Sequence, residues 1–400
     1  MTPARNVRAF SRRATWDLAA NQLAARLEAL RRGGTPLLDL SESNPTRCGL
    51  AWPAHELAVA LEHPDLGTYE PDPRGLARGR EAVAAYLATH GAHVGPDDVL
   101  LTASTSEGYM LLLKLLCDPG DEVLVPAPSY PLLDVLCQLE CVRPVRYPLR
   151  HDGTWHVDLP ALFGSITERT RAIVVVSPSN PTGALLSAAE LEALGELCAA
   201  RGVALVGDEV FADTAVAETV SVASSRRCLA FQLSGISKIC GLPQVKVAWI
   251  AVTGPEGEAS SALERLEMIA DAYLSVSGPA QLALPVLLGR RERFLAELRA
   301  RLASNEAMLA RAAAGAPFDL LRRSGGWSAV LRIGETLDEE QVCLDLLDHG
   351  VVVQPGFFYD FERPGYLVVS LLPAPAVFGE GTARLSARLA SWSLGLSGRP

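Results

Sequence analysis

Short, continuous apolar runs recur through the middle of the chain, and each is followed by a stretch whose apolar residues return at helical spacing. These strand-then-helix alternations fall over 98–117, 122–140, 172–200, 203–214 and 228–251. A strand buried on both faces reads as a continuous apolar run rather than an alternating one, which is the signature of a parallel sheet covered by helices. The pattern predicts an α/β fold with a mainly parallel, doubly wound sheet in a large domain. Apolar spacing over 14–33 predicts an N-terminal helix. Beyond Pro255 the pattern changes to long helices over 256–276 and 279–313, then to strands near 327–333, 351–354 and 366–371, which predict a smaller α+β domain. The expected division is 1–50 as an N-terminal arm and part of the small domain, 51–280 as the large domain, and 281–400 as the C-terminal small domain. In such sheets ligands sit beyond the carboxyl ends of the strands, and Ser104, Tyr130, Asn180, Asp208 and Lys238 all fall at that end.

Composition narrows the class. With 400 residues, 49% of them hydrophobic, the chain can bury a large core. The opening from Met1 to Arg13 is basic but lacks the apolar stretch of a secretory signal, and no uninterrupted apolar run reaches membrane-spanning length. The net charge of −10 speaks against nucleic acid as a partner. The eight cysteines are scattered in mostly apolar context, without the paired spacing of a metal site or a disulfide framework. A cytoplasmic enzyme without a structural metal is expected.

The candidate chemistry lies at the strand ends. Lys238, in Ser237-Lys238, and Asp208, in Asp208-Glu209-Val210, each follow an apolar run. A lysine amine condenses with an aldehyde as a Schiff base, and an upstream carboxylate can keep a pyridine nitrogen protonated, so the pair suits pyridoxal phosphate. Ser104, Thr105 and Ser106 open a helical stretch and offer hydroxyls and free backbone donors to a phosphate. Asn180 and Tyr130 stand on neighbouring turns, able to bond and to stack on a pyridine ring. Taken singly, Asp208, Ser104 and Thr105 could be helix caps and Tyr130 a turn aromatic packed on the sheet.

The motifs Asn44-Pro45, Tyr69 with Gly75, Ser104-Thr105-Ser106-Glu107, Ser129-Tyr130-Pro131, Asn180-Pro181-Thr182-Gly183, Asp208-Glu209-Val210, Ser237-Lys238 and Lys246 occur in one order. In that order they resemble the class I and II aminotransferases of fold type I, from about Asp39 to about Ser370. The resemblance implies a pyridoxal 5'-phosphate-dependent aminotransferase that moves an amino group between an amine or amino acid and a keto acid. It implies a homodimer with sites at the interface, in which Tyr69 reaches the partner's phosphate. It also implies Lys246 at the cofactor phosphate and Ser43 and Asn44 near the substrate.

Three positions depart from that pattern. Phe211 stands where the family usually has a tyrosine, so the cofactor's phenolic oxygen keeps Asn180 but loses a hydroxyl donor. Lys246 replaces an arginine and keeps its charge without the bidentate fork. Val368 stands where the family's carboxylate-gripping arginine belongs, leaving Arg363 and Arg47 as nearby cations, or a substrate without that carboxylate. A lyase, decarboxylase or oxidase on the same scaffold, or a non-catalytic cofactor-binding relative, would keep the same cofactor residues.

Overall fold

The computed structural model describes residues 10–393, so the basic opening from Met1 to Arg8 lies outside the described residues. The strands in chain order are β1 (Leu38–Asp39), β2 (Val99–Thr102), β3 (Glu122–Ala127), β4 (Arg143–His151), β5 (Trp155–Val157), β6 (Thr170–Val176) and β7 (Ala204–Asp208). They continue as β8 (Ala230–Gly235), β9 (Ala248–Thr253), β10 (Asp319–Leu320), β11 (Ser328–Arg332), β12 (Val351–Val352), β13 (Gln354–Pro355) and β14 (Tyr366–Ser370).

Eight of them form one sheet in the order β2-β9-β8-β7-β6-β3-β4-β5. The pairings of β4, β3, β6, β7 and β8 are parallel, while β9 runs antiparallel to both β8 and β2, and β5 is antiparallel to β4. The central strands are apolar throughout because helices cover both faces. Leu100, Val123, Val174 and Val206 enter one core cluster, while Leu124, Ile173 and Leu205 enter another. The predicted mainly parallel α/β sheet is therefore present, and its five predicted runs are β2, β3, β6, β7 and β8, with β9 completing the last. β4 carried no apolar signal, because its sequence alternates arginine and proline with buried Tyr147 and Leu149 near the sheet edge.

The smaller sheet, β10-β11-β14-β13, is antiparallel. β1 pairs in parallel with β12, Leu38 opposite Val351, which ties the N-terminal segment to the C-terminal portion. The expected division at 280 falls inside the helix Gly278–Gly289, whose Ala280, Ala283, Leu284 and Leu287 pack in one cluster with Leu101, Trp249 and Ala251 of the central sheet. That helix therefore packs against the central sheet.

Two helix expectations are corrected. The N-terminal helix spans Gln22–Arg32, capped by Asn21, whose Oδ1 accepts from the Ala24 amide at 2.7 Å. The residues before it are held across the helix Leu132–Leu139 instead, with the Trp16 indole donating to Gln138 at 2.9 Å and Arg13 donating to the Leu139 carbonyl at 3.2 Å. The helix expected over 279–313 is two, Gly278–Gly289 and Arg291–Ala313, broken at Arg290.

The two sheets meet at the turn that carries Asn180. Gly183 there has φ +69°, its amide donates to the Ser179 carbonyl at 2.7 Å, and its own carbonyl accepts from the Ser324 amide at 3.1 Å. A Cβ at Gly183 would lie 2.5 Å from the Gly325 carbonyl oxygen, a backbone atom with nowhere to go. Gly183→Ala combines that collision with a left-handed backbone, so denaturant unfolding should register a loss of about 2 kcal/mol. Unchanged stability would mean that the turn is not a fixed joint.

Candidate active site

A cavity of about 430 Å³ opens at the carboxyl ends of β2, β3, β6, β7 and β8. Its walls include Ser104, Thr105, Ser106, Tyr130, Asn180, Asp208, Phe211, Ser237, Lys238, Lys246 and Ser43, so eleven residues chosen from sequence converge on one space. Most arrive by the same local logic, while Lys246 lies just before β9 and Ser43 comes from the segment after β1. A buried strand ends, the chain turns, and the first polar residues past the strand face the crevice.

The helix Thr105–Leu116 presents its N-terminus there. Ser104 caps it, accepting the Glu107 amide at 3.1 Å through Oγ and the Gly108 amide at 3.0 Å through its carbonyl. The Thr105 and Ser106 amides precede these bonds and, with their hydroxyls, face the cavity as donors for an anion. Lys246 adds a positive charge on an exposed turn whose backbone is left-handed at φ 62°. The Asn180 amide oxygen accepts from the Ser328 hydroxyl at 3.2 Å, which fixes the side chain so that its NH₂ is free to donate.

Asp208 ends β7. Its Oδ2 accepts from the Tyr109 hydroxyl at 3.0 Å and its Oδ1 from the Val210 amide at 3.3 Å. Burial pushes its carboxyl above the usual range, and the Val210 and Tyr109 hydrogen bonds and the Lys238 charge only partly oppose that. Burial likewise depresses the Lys238 ammonium, against the pull of Asp208. Both groups are thus held in a space that disfavours their charged forms. A protonated pyridine nitrogen would supply Asp208 with the cation it lacks, and a helix N-terminus beside Lys246 would receive a phosphate. The residues present fit pyridoxal phosphate.

Other expected residues lie elsewhere. Val368 does not line the cavity. It is 1% exposed in β14, packed with Val330 and Tyr359, and Ser370, two positions on along the same face, reaches the cavity instead. Arg363 points into solvent, paired with Glu335 at 3.3 Å, because the turn before β14 runs over the surface. Arg47 is likewise exposed and sits 3.6 Å from Glu42. Asn44 spends its carboxamide oxygen on its own turn, accepting from the Thr46 amide at 3.0 Å and hydroxyl at 2.7 Å. Tyr69 is 80% exposed and lines a separate surface hollow with Leu66, Tyr273 and Leu274.

Sequence reasoning missed Tyr109, Trp327, Ser328, Gln354, Tyr359, Ser370 and Ser41, all of which line the cavity. For Tyr109 a signal existed, since it lies one helical turn past Thr105 on the same face. The others come from the small sheet or, for Ser41, the segment after β1, whose approach no local pattern announces. Among the described residues, no group of three or more His, Cys, Asp or Glu side chains is placed to hold a metal, and no helix is long and apolar enough to cross a membrane.

Comparison with known proteins follows the same outline. Residues 36–375 match the family described as Aminotransferase class I and II. The chain is 30% identical over 387 residues to the alanine aminotransferase of Mycobacterium tuberculosis, covering 93% of this chain and 89% of that one. It is also 30% identical over 264 residues to the glutamate-pyruvate aminotransferase AlaA of Escherichia coli, 65% of each chain. In structure it resembles the alanine aminotransferase of Pyrococcus furiosus, with a TM-score of 0.88 at 25% identity over 95% of this chain and 99% of that one.

The electrostatics of Asp208 predict a trade of stability for binding. Its folded pKa is raised, so its contribution to stability is present below the ordinary carboxylate value of 3.8 and is lost as pH rises through the raised one. Cofactor-free Asp208→Asn should therefore melt higher than the cofactor-free wild type at neutral and basic pH, while binding pyridoxal phosphate more weakly. Equal melting curves at pH 8 would remove the cost assigned to that charge.

Proposed function

The chain belongs to the class I and II aminotransferase family, and we propose that it performs pyridoxal phosphate-dependent amino transfer with Lys238 as the attachment and proton-transfer residue and Asp208 as partner of the pyridine nitrogen. The observation that carries this reading is the convergence of Lys238, Asp208, Asn180 and the Thr105–Leu116 helix N-terminus on one cavity. When bound, pyridoxal phosphate supplies an aldehyde to attach the amine and a cationic ring to accept electrons.

The protein's part is binding, orientation and proton movement. Burial lowers the Lys238 pKa below that of a free amine, which makes it easier for the nitrogen to give up its proton and would let it serve as nucleophile and as general base and acid. Asp208, short of countercharge, would favour a proton on the ring nitrogen of the bound cofactor. Asn180, steadied by Ser328, would donate to the phenolic oxygen, while Phe211 would add no donor there. Tyr130, half exposed at the rim, would be able to stack on the ring. Ser104, Thr105, Ser106, Ser237 and Lys246 would hold the phosphate.

For substrate, the names of the relatives suggest alanine or glutamate as donor and a keto acid as acceptor. Lys238 and Lys246 are the cations among the described residues lining the cavity, so a substrate carboxylate would meet Ser41, Ser43, Ser370 and Gln354, neutral groups that grip less tightly than an arginine fork. The same observation favours a second reading, an amine without an α-carboxylate. Tyr69, Leu66, Tyr273 and Leu274 form an exposed apolar surface, which we assign to a second copy of the chain. The buried thiols suit a reducing cytoplasm.

With bound cofactor and 2-oxoglutarate, L-alanine should yield pyruvate and glutamate with a KM at or above about 1 mM, the upper end of the ordinary range. Borohydride reduction should place the pyridoxyl group on Lys238, and Lys238→Ala should abolish the half-reaction. Release of carbon dioxide or peroxide in place of pyruvate would transfer the chain to the other pyridoxal chemistries, and an adduct on Lys246 would end the assignment of Lys238. Light scattering should give a dimer mass that Tyr273→Asp with Leu274→Asp reduces to a monomer; a monomeric wild type would refute the second-copy surface.

A further inference from the structure

The Lys238 side chain forms no hydrogen bond or ion pair among the described residues, although it is mostly buried. What it has instead are two aromatic rings. Its Nζ lies 4.7 Å from the centroid of Trp327 and 5.7 Å from that of Phe211. The two rings are fixed against each other edge to face, 5.1 Å apart at 75°. Both distances are within the range in which an ammonium is drawn to a ring face, and indole is the strongest of the natural rings.

The surrounding chain places Trp327 tightly. It is 2% exposed, and its carbonyl accepts the Leu371 amide at 2.8 Å. The turn before it needs its glycines. A Cβ on Gly325 would sit 2.5 Å from the Pro178 ring, and Gly326 has φ +74° while its amide donates to the Thr214 hydroxyl at 2.9 Å. The small sheet is thereby pressed onto the turns after β6 and β7, which brings the indole over the lysine.

We propose that Trp327 is a positioning residue for the lysine: its indole face, backed by Phe211, holds the Lys238 ammonium whenever that nitrogen is not attached to the cofactor, and so sets the fraction of the lysine present as acid. A ring face suits this better than a carboxylate in contact would. It favours the charge without accepting a hydrogen bond, so the proton remains free to move to a substrate carbon. The other titratable groups lining the cavity are Asp208, Tyr109, Lys246, Tyr130 and Tyr359. Of these only Asp208 perturbs the lysine, in the direction that favours its charge.

The test uses the full chain with tryptophan carrying one to four ring fluorines installed at position 327, a series that withdraws electron density at nearly constant shape. The readout is the Lys238 pKa in the cofactor-free protein, taken from the pH dependence of its acylation rate by peptide mapping, with the pH profile of the amine half-reaction in the holoenzyme as companion. The inference predicts a stepwise fall with each fluorine, reaching roughly tenfold in the acid dissociation constant. Trp327→Leu should fall as far, and Trp327→Phe should restore part of it. A lysine pKa that ignores fluorine number, or that rises in Trp327→Leu as water enters, overturns the proposal. The fluorine series decides the matter even if Trp327→Leu fails to fold. Because the cofactor-free pKa is read without turnover, its outcome is independent of whether the adduct maps to Lys238, which tests the preceding assignment.

Discussion

A carboxylate and an amine kept dry at the ends of two neighbouring strands are the constraint on which the rest of this site depends. Asp208 closes β7 and Lys238 lies one turn beyond β8, which pairs with it. Burial works against the charge on each, and they face one cavity without a direct bond between them. Uncompensated, that arrangement is a cost. Paired with a pyridine cation and an aldehyde it would become a binding site, because such a ligand would bring what each group lacks.

The scaffold explains why the cost can be borne. A parallel sheet buried on both faces supplies several strand ends at one level, and the helix Thr105–Leu116 adds an N-terminus facing the same crevice. The small sheet closes the other side through Trp327, Ser328, Gln354 and Ser370. Its position rests on glycines at 183, 325 and 326, where added side chains would strike backbone or proline or would need a strained φ. Tyr109 and Val210 then keep the Asp208 carboxylate aimed rather than rotating.

Much of this was legible in the sequence, for a physical reason. Apolar runs mark buried strands, and the polar residues just past them must face the crevice, so Ser104, Asn180, Asp208 and Lys238 could be read in order. Tertiary placement was not so legible. Val368 lies on β14, where strand alternation gives it the same face as Ser370, but alternation says nothing of depth, and Val368 is buried in the core instead of lining the cavity. Asn44 and Arg363 were near in sequence to cavity residues yet turn to local partners. Trp327 arrives from a distant stretch of the chain, and only its preceding pair of glycines hints at a close approach. The region before Gln22 had helical spacing, but contacts with the helix Leu132–Leu139 keep it out of a helix.

The central claim is that Asp208 stays ionised once it has a cation to face, and so keeps the ring nitrogen protonated. The most direct measurement is the nitrogen NMR shift of the holoenzyme loaded with ¹⁵N-labelled pyridoxal phosphate, followed from pH 6 to 9. The account predicts a protonated ring nitrogen across that range in the wild type and its loss in Asp208→Asn. An unprotonated nitrogen in the wild type, or a shift indifferent to the substitution, would contradict it.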